Sequence, residues 1–219
     1  MHAVARAGES ERTFALLSER SLSDARAPSR AQLLTGQHPW RTGWVMHHDV
    51  PRWGGAGLEL ARSNATSLAR EFRAAGYRTA LAGKWQLHHL GRRPRALDEH
   101  GFDEHCVWPG NEIGAPLLTD ESKYWSPVLQ QNGARARHER WAPPRANATA
   151  RGGDAGAAER KGYGPRIIND FVNRYVARDD ARGRPFFVLY AMLLCHKPLV
   201  MPPGASGQGR ASVMHEMVR

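Results

Sequence analysis

The stretch Ala27-Pro28-Ser29-Arg30-Ala31-Gln32-Leu33-Leu34-Thr35-Gly36 is the most informative in this 219-residue chain. Pro28 indicates the head of a short helix, because the N–H that proline lacks would have no intrahelical partner there. Gly36 indicates its end, since glycine adopts the left-handed conformation at little cost. A helix start carries unpaired N–H groups and the positive end of the helix dipole, and Arg30 adds a fork of donors. The stretch therefore predicts a helix start that suits an oxyanion.

Length and composition set wide bounds. The chain is long enough for one domain with a real core. No run approaches the roughly 18 apolar residues of a membrane-spanning helix, so no membrane partner is expected. Residues 1–20 lack the apolar centre of a signal peptide, and the localisation of the protein stays unknown.

The formal net charge of +10 comes from scattered arginines. Such a balance is compatible with affinity for polyanions, but the arginines form no stripe of the kind that binds nucleic acid. We therefore expect no specific nucleic-acid partner. The two cysteines, Cys106 and Cys195, are not at metal-ligand spacing, and whether they pair is open.

The middle of the chain follows an α/β pattern. Residues 64–76 have helical spacing, with Asn64 or Thr66 as the cap, and Gly76 ends the helix. Residues 77–83 are typical of a strand. The residues Lys84-Trp85-Gln86 follow it directly, at the edge where open α/β sheets bind ligands.

The rest of the chain extends this pattern less evenly. Residues 1–24 are poorly defined, and residues 109–163 are predicted to form a long surface excursion. Residues 165–177 form the clearest amphipathic helix. Residues 185–194 are continuously apolar, as in a buried central parallel strand, and His196 follows. We interpret residues 1–219 as a single α/β domain.

Three cationic or imidazole side chains share one predicted context: Arg30 at a helix start, Lys84 and His196 after strands. Each feature alone is weak, since a lysine after a strand is usually a surface residue. Their shared position favours a common site. His47 lies in the loop 44–57, which is rich in turn formers, imidazoles and indoles. Such a loop either lines a site or is purely structural.

The chain resembles the sulfatase family, in its arylsulfatase-type N-terminal domain. The family signature is Cys or Ser, any residue, Pro-Ser-Arg, three residues, Leu or Met, and Thr-Gly, and the residues from Pro28 to Gly36 fit it. Further blocks follow in the family's order over residues 26–203. They are Ala74 to Ala80, Gly83-Lys84-Trp85, Gly101-Phe102-Asp103, Tyr163-Gly164-Pro165, and Pro185-Phe186-Phe187 leading to His196.

The resemblance implies an alkaline-phosphatase-like fold, with a mixed or mostly parallel sheet between helices. It also implies hydrolysis of sulfate monoesters of small molecules or glycans, with a formylglycine nucleophile and a calcium ion. Arg30 matches the arginine that supports the formylglycine, and Lys84 and His196 match residues that contact sulfate. His47 and Gln86 are expected to bind substrate. Many members carry histidine where Gln86 stands, and glutamine cannot transfer a proton at neutral pH.

Two departures from the family bear on catalysis. Arg26 occupies the nucleophile position, and arginine cannot become formylglycine. The family's calcium ligands have no counterparts in the chain, and Asp24, Asp49 and Asp103 do not make a ligand set. The resemblance thus predicts a domain truncated at both ends, an incomplete sheet with a gap at its missing first strand, and an inactive protein.

Other functions stay open beside this one. The chain is alternatively a non-catalytic basic protein that binds sulfated or phosphorylated polyanions through its cations. A phosphatase or phosphodiesterase of the same superfamily is a weaker alternative, because its nucleophile would require Ser or Thr in place of Arg26.

Overall fold

The computed structural model describes residues 2–5, 14–15, 26–45, 60, 66–88, 90, 93–110, 124–125, 127–132, 136–140, 162–178, 180 and 183–194. The strands within them are β1 (His2–Ala5), β2 (Phe14–Ala15), β3 (Arg78–Lys84), β4 (Glu104–Trp108), β5 (Val128–Asn132), β6 (Ala136–Arg140) and β7 (Phe186–Ala191). The helices are α1 (Arg26–Thr35), α2 (Pro39–Thr42), α3 (Leu68–Ala74), α4 (Ala96–Glu99) and α5 (Gly164–Ala177). No helix of this described part is both long and apolar enough to cross a membrane.

The strands form one mixed sheet in the order β2-β1-β7-β3-β4-β5-β6. Its centre is parallel, since β3 pairs in parallel with both β7 and β4. Antiparallel strands flank the centre, with β1 beside β7 and β5 beside β4. The predicted α/β class with a mixed sheet is confirmed.

Helices cover both faces of the sheet, because alternate side chains of each strand point to opposite faces. In β7, Phe187 and Leu189 join one core, while Phe186 and Val188 join the other. The first core includes Ala31 and Leu34 of α1, Ala69 of α3 and Leu97 of α4. The second includes Ile168, Phe171 and Tyr175 of α5. The sheet is thus sandwiched by helices, as the sequence predicted.

The start of α1 differs from the prediction, although its end agrees. The helix begins at Arg26, so Pro28 is its third residue. Proline is tolerated there because N–H groups of the first turn make no intrahelical hydrogen bond. At the other end Gly36 has a φ of 66°, and its N–H donates to the carbonyl oxygen of Gln32 at 2.8 Å. Gly36 therefore ends the helix as expected.

The cap of α3 is not one of the two residues predicted for it. Ser67 occupies the N-cap position, with extended backbone and no hydrogen bond from its side chain to the cap. The hydroxyl of Thr66 instead bonds the carboxylate of Glu71 at 2.5 Å. Sequence spacing located the helix but not the residue at its N-cap.

Two short pieces of the N-terminal segment, residues 2–5 and 14–15, are described as strands. Strand β1 pairs antiparallel with β7, from His2 opposite Tyr190 to Ala5 opposite Phe187. Strand β1 therefore extends the sheet at this edge of β7. Backbone N–H and C=O groups along an open strand edge favour such pairing whatever the direction of the added strand.

The predicted surface excursion, residues 109–163, returns to the sheet. Strands β5 and β6 pair antiparallel within it, and β5 pairs with β4. Tyr124 and Leu129 are buried there. The low apolar content of the segment concealed these strands, because β5 adds only Val128 and Leu129 to the apolar pattern.

Candidate functional site

The carboxyl end of β3 carries Lys84, as predicted. All residues of this strand are buried, because it lies between β7 and β4. Lys84 pairs in register with Trp108 at the end of β4. The N–H of Trp85 then donates to the carbonyl oxygen of Trp108 at 3.1 Å, which ties the residue after the strand to its neighbour. The backbone that presents Lys84 is therefore fixed on both sides.

Gly83 allows β3 and β7 to meet closely at this edge. Its φ of 93° lies in the left-handed region, and a β-carbon there would fall 1.8 Å from the carbonyl oxygen of Ala191. No other residue type avoids this contact. The last residue of β7 thus lies against the residue that precedes Lys84.

Arg30 joins helix α1 to the residues that follow Lys84. Its Nε donates to the carbonyl oxygen of Trp85, and its terminal nitrogen donates to Oε1 of Gln86, each at 3.0 Å. Only 3% of Arg30 and 7% of Lys84 is exposed. The carbonyl oxygen of Trp85 and the amide oxygen of Gln86 accept these bonds, which orient the guanidinium.

Gln86 has a φ of 55°, in the left-handed region that favours glycine. A glutamine in this conformation costs about 1–2 kcal/mol, and such strain is found preferentially at functional sites. The hydrogen bond from Arg30 holds the Gln86 side chain in place. Gln86 is therefore fixed at the same edge as Lys84.

Aromatic rings pack beneath this edge. The indole of Trp85 stacks on His88 with a centroid separation of 5.6 Å and an interplanar angle of 9°. His100 lies 5.7 Å from Trp85 and 4.9 Å from His88, and Phe102 meets Trp85 edge-on. All four side chains are buried.

Burial also decides the charge of the two histidines. Desolvation, and to a lesser extent the charges of His100 and Arg93, lowers the pKa of His88 to about 3. Desolvation, with Arg70 and Arg93 nearby, lowers the pKa of His100 to about 4. His88 is therefore neutral at pH 7 and does not supply the general acid that Gln86 lacks.

Of the residues predicted from sequence, Arg30 bonds the Gln86 side chain, and Lys84 ends β3 two residues before Gln86. His47 and His196 lie outside the described residues. Arg26 is the first residue of α1, but only its backbone is described, and its side chain is not. The nucleophile position thus lies one helical turn before Arg30.

The described residues do not fit a calcium ion. Among them, no group of three or more His, Cys, Asp or Glu side chains could hold a metal. Asp103 is committed to structure, since its carboxylate accepts hydrogen bonds from the N–H and hydroxyl of Thr79. These bonds lie at the amino ends of β3 and β4, at the opposite edge from Lys84. Asp24 and Asp49 are outside the described residues.

The sequence placed Trp85 at this edge, but it did not reveal the packing of His88 and His100 against the indole. Arg30 and Trp85 are 55 residues apart, so no local spacing predicts their contact. The turn after β3 requires a residue with positive φ, which a glycine would have indicated in the sequence. Glutamine occupies that position, so the turn could not be recognised from the sequence.

The chain is similar in sequence to known proteins over most of its length. The profile of the sulfatase family matches residues 18–213. Arylsulfatase G of Rattus norvegicus is 30% identical over 202 residues, which cover 84% of this chain and 35% of the relative. N-acetylgalactosamine-6-sulfatase of Homo sapiens is 29% identical over 191 residues, which cover 84% of this chain and 33% of the relative. The chain spans about a third of the length of these relatives.

Solved structures are similar at a lower level. The structure of a protein in complex with its substrate D-glucosamine-2-N,6-O-disulfate gives a TM-score of 0.48 and 23% identity, covering 81% of this chain and 26% of that one. Because the family profile covers most of the chain, the protein belongs to the sulfatase family.

Proposed function

We propose that the chain binds sulfate monoesters at the carboxyl end of β3, through Arg30 and Lys84. The observation that carries this proposal is the pair of hydrogen bonds from Arg30 to Trp85 and Gln86, directly beside Lys84. These bonds aim a buried guanidinium at the edge of the sheet where α/β proteins bind ligands. Two cationic side chains at one desolvated edge favour an oxyanion.

Each residue has a distinct task in this proposal. Arg30 and Lys84 offset the charge of the sulfate oxygens, and the amide of Gln86 contributes a donor. His196 follows β7, which lies beside β3, so it would approach the sulfate from the neighbouring strand. His47 would contact the alcohol part of the ester.

The substrate class proposed is a sulfated sugar or an aryl sulfate. The relatives carry the names arylsulfatase and N-acetylgalactosamine-6-sulfatase. A structurally similar protein binds D-glucosamine-2-N,6-O-disulfate. These names support a sulfate ester as the substrate class of this chain, and the alcohol part of the ester stays unassigned.

We propose further that this chain does not turn the ester over. The family is generally calcium-dependent and uses a residue at position 26 as nucleophile. Arg26 is no nucleophile at neutral pH, since its guanidinium stays protonated. Within the described part of the chain no side-chain group fits calcium either. Binding without hydrolysis is the expected behaviour.

A general affinity for polyanions is the alternative. Many exposed arginines of the described residues already pair with carboxylates: Arg73 with Asp98, Arg93 with Glu99, Arg166 with Asp170, Arg178 with Glu104 and Arg184 with Asp180. Local pairing weakens a long-range positive field. We therefore favour one specific anion site over a polyanion-binding surface.

Calorimetric titration with an aryl sulfate, with and without calcium, tests the proposal. Arg30→Lys keeps the charge but loses the fork, and we expect affinity to fall about tenfold or more. Arg41→Lys, in exposed α2, is the matched control and should change affinity less than twofold. Equal affinity of the two variants would refute the site. Heparin binding that disappears at moderate salt, without aryl sulfate binding, would favour the alternative.

The domain organisation is also proposed. Residues 1–219 would form a single partial sulfatase domain, because one sheet joins strands from residue 2 to residue 191. Limited proteolysis should then give no stable fragment that separates β1 from β7. Two stable fragments on either side of β3 would contradict a single domain.

A further inference from the structure

The rings beneath the candidate site form a compact group, which we call the indole stack: Trp85, His88 and His100. Within it, the indole is almost parallel to the His88 ring, and His100 contacts both. The indole N–H of Trp85 has no hydrogen-bond partner among the described residues. Ring packing, and not a polar bond, therefore sets the orientation of this indole.

Trp85 is also the residue whose backbone holds Arg30. Its carbonyl oxygen accepts from Arg30 Nε, and the next residue is the strained Gln86 that accepts from the same guanidinium. A backbone displacement at Trp85 would move both acceptors together. We propose that the indole stack is a positioning element that fixes the guanidinium of Arg30 in the anion site.

Electrostatics supports this arrangement. The neighbours of the stack among the described residues are basic: Arg93 faces both histidines, and Arg70 faces His100. The carboxylate of Glu99 pairs with Arg93, and the backbone carbonyl oxygen of Glu99 accepts a hydrogen bond from Arg70. Burial keeps both imidazoles uncharged at neutral pH, and uncharged rings stack on an indole without the cost of a buried charge.

The inference rests on the proposed function only for the role of Arg30 in binding sulfate. The effect of the stack on Arg30 is measurable without any ligand. In ¹⁵N-resolved NMR of the full chain, the Nε–H of Arg30 should give a slowly exchanging signal, because it donates to a buried carbonyl. Arg30→Lys assigns that signal by its absence.

Three variants separate positioning from general stability. His88→Ala removes one ring of the stack, and we expect the Arg30 signal to broaden or exchange at least tenfold faster. His88→Phe keeps a ring and should preserve the signal. His105→Phe is the control, since His105 is another buried histidine, on β4 and outside the stack, and it should leave the signal unchanged.

An unchanged Arg30 signal in a folded His88→Ala variant would overturn the proposal. Loss of the signal in His105→Phe as well would also overturn it, because the effect would then be global. If His88→Ala fails to fold, the comparison of His88→Phe with His88→Gln decides the matter: the signal must survive only with the ring. If the variants change the Arg30 signal as expected but the chain binds no aryl sulfate, the proposed function is rejected and the positioning role of the indole stack stands.

Discussion

Gly83 and Ala191 meet so closely that a β-carbon on Gly83 would lie 1.8 Å from the carbonyl oxygen of Ala191. The contact joins the carboxyl ends of β3 and β7, from which Lys84 and His196 follow. It also explains why a glycine must precede the lysine. The spacing of β3 and β7 at the candidate site is therefore determined by a backbone contact and not by side chains.

Substitution Gly83→Ala should destabilise the chain by about 3 kcal/mol or more, because the strands must separate and the residue is held at positive φ. Gly36→Ala is the matched control. Gly36 also has positive φ, but nothing lies within 4 Å of its β-carbon position, and about 1–2 kcal/mol is expected. Urea denaturation measures both, and similar losses in the two variants would show that the strand contact is unimportant.

Stability should fall below about pH 6.5, because burial lowers the pKa of His88 to about 3 and of His100 and His105 to about 4. Between these values and 6.5 the unfolded chain binds protons that the folded chain does not, so unfolding is favoured as pH falls. Each histidine contributes about 1.4 kcal/mol per pH unit. Urea midpoints at pH 7 and pH 5 measure the effect. Equal midpoints would contradict neutral, buried histidines.

Tyr175 of α5 should tolerate loss of its hydroxyl but not of its ring. The guanidinium carbons of Arg78 and Arg178 lie 5.1 and 5.3 Å from the ring centroid. The hydroxyl has no hydrogen-bond partner among the described residues, and burial raises the pKa of this group. Tyr175→Phe should be neutral or stabilise by up to about 1 kcal/mol. Tyr175→Ala should cost about 3–5 kcal/mol. Thermal unfolding distinguishes them, and equal losses would disprove the role of the ring.

Arg26→Cys alone should not produce hydrolysis, even after coexpression with a formylglycine-generating enzyme. The variant restores the family's signature residue, but the described residues fit no calcium ion. Turnover of an aryl sulfate in the presence of calcium is the measurement. Calcium-dependent turnover above that of an Arg26→Ala control would contradict this expectation.

The sequence predicted the elements with strong local patterns. Helix α5 and strand β3 lie within one or two residues of their expected positions, and β7 lies inside the apolar run predicted for it. The agreement arises because helical periodicity and apolar runs reflect burial directly. The antiparallel strands β1, β5 and β6 were not predicted. They are short or polar, and pairing with neighbours rather than intrinsic propensity decides their conformation.

The sequence likewise identified some residues of the candidate site but not the contacts between them. Arg30, Lys84 and Gln86 could be identified from signature residues and from the end of a predicted strand. The bond from Arg30 to Trp85, and the stacking of His88 on that indole, could not. Both depend on how helix α1 and the turn after β3 pack against the sheet, and no spacing in the sequence encodes that packing.

We propose that Arg30 and Lys84 form one anion site beside Gln86. Diffraction from crystals of the full chain soaked in selenate tests it most directly, because selenium scatters anomalously and selenate mimics a sulfate group. We expect an anomalous peak within about 4 Å of both the Arg30 guanidinium and Lys84 Nζ, which is hydrogen-bonding reach for the selenate oxygens. Selenate bound elsewhere, with this position empty at saturating concentration, would contradict it.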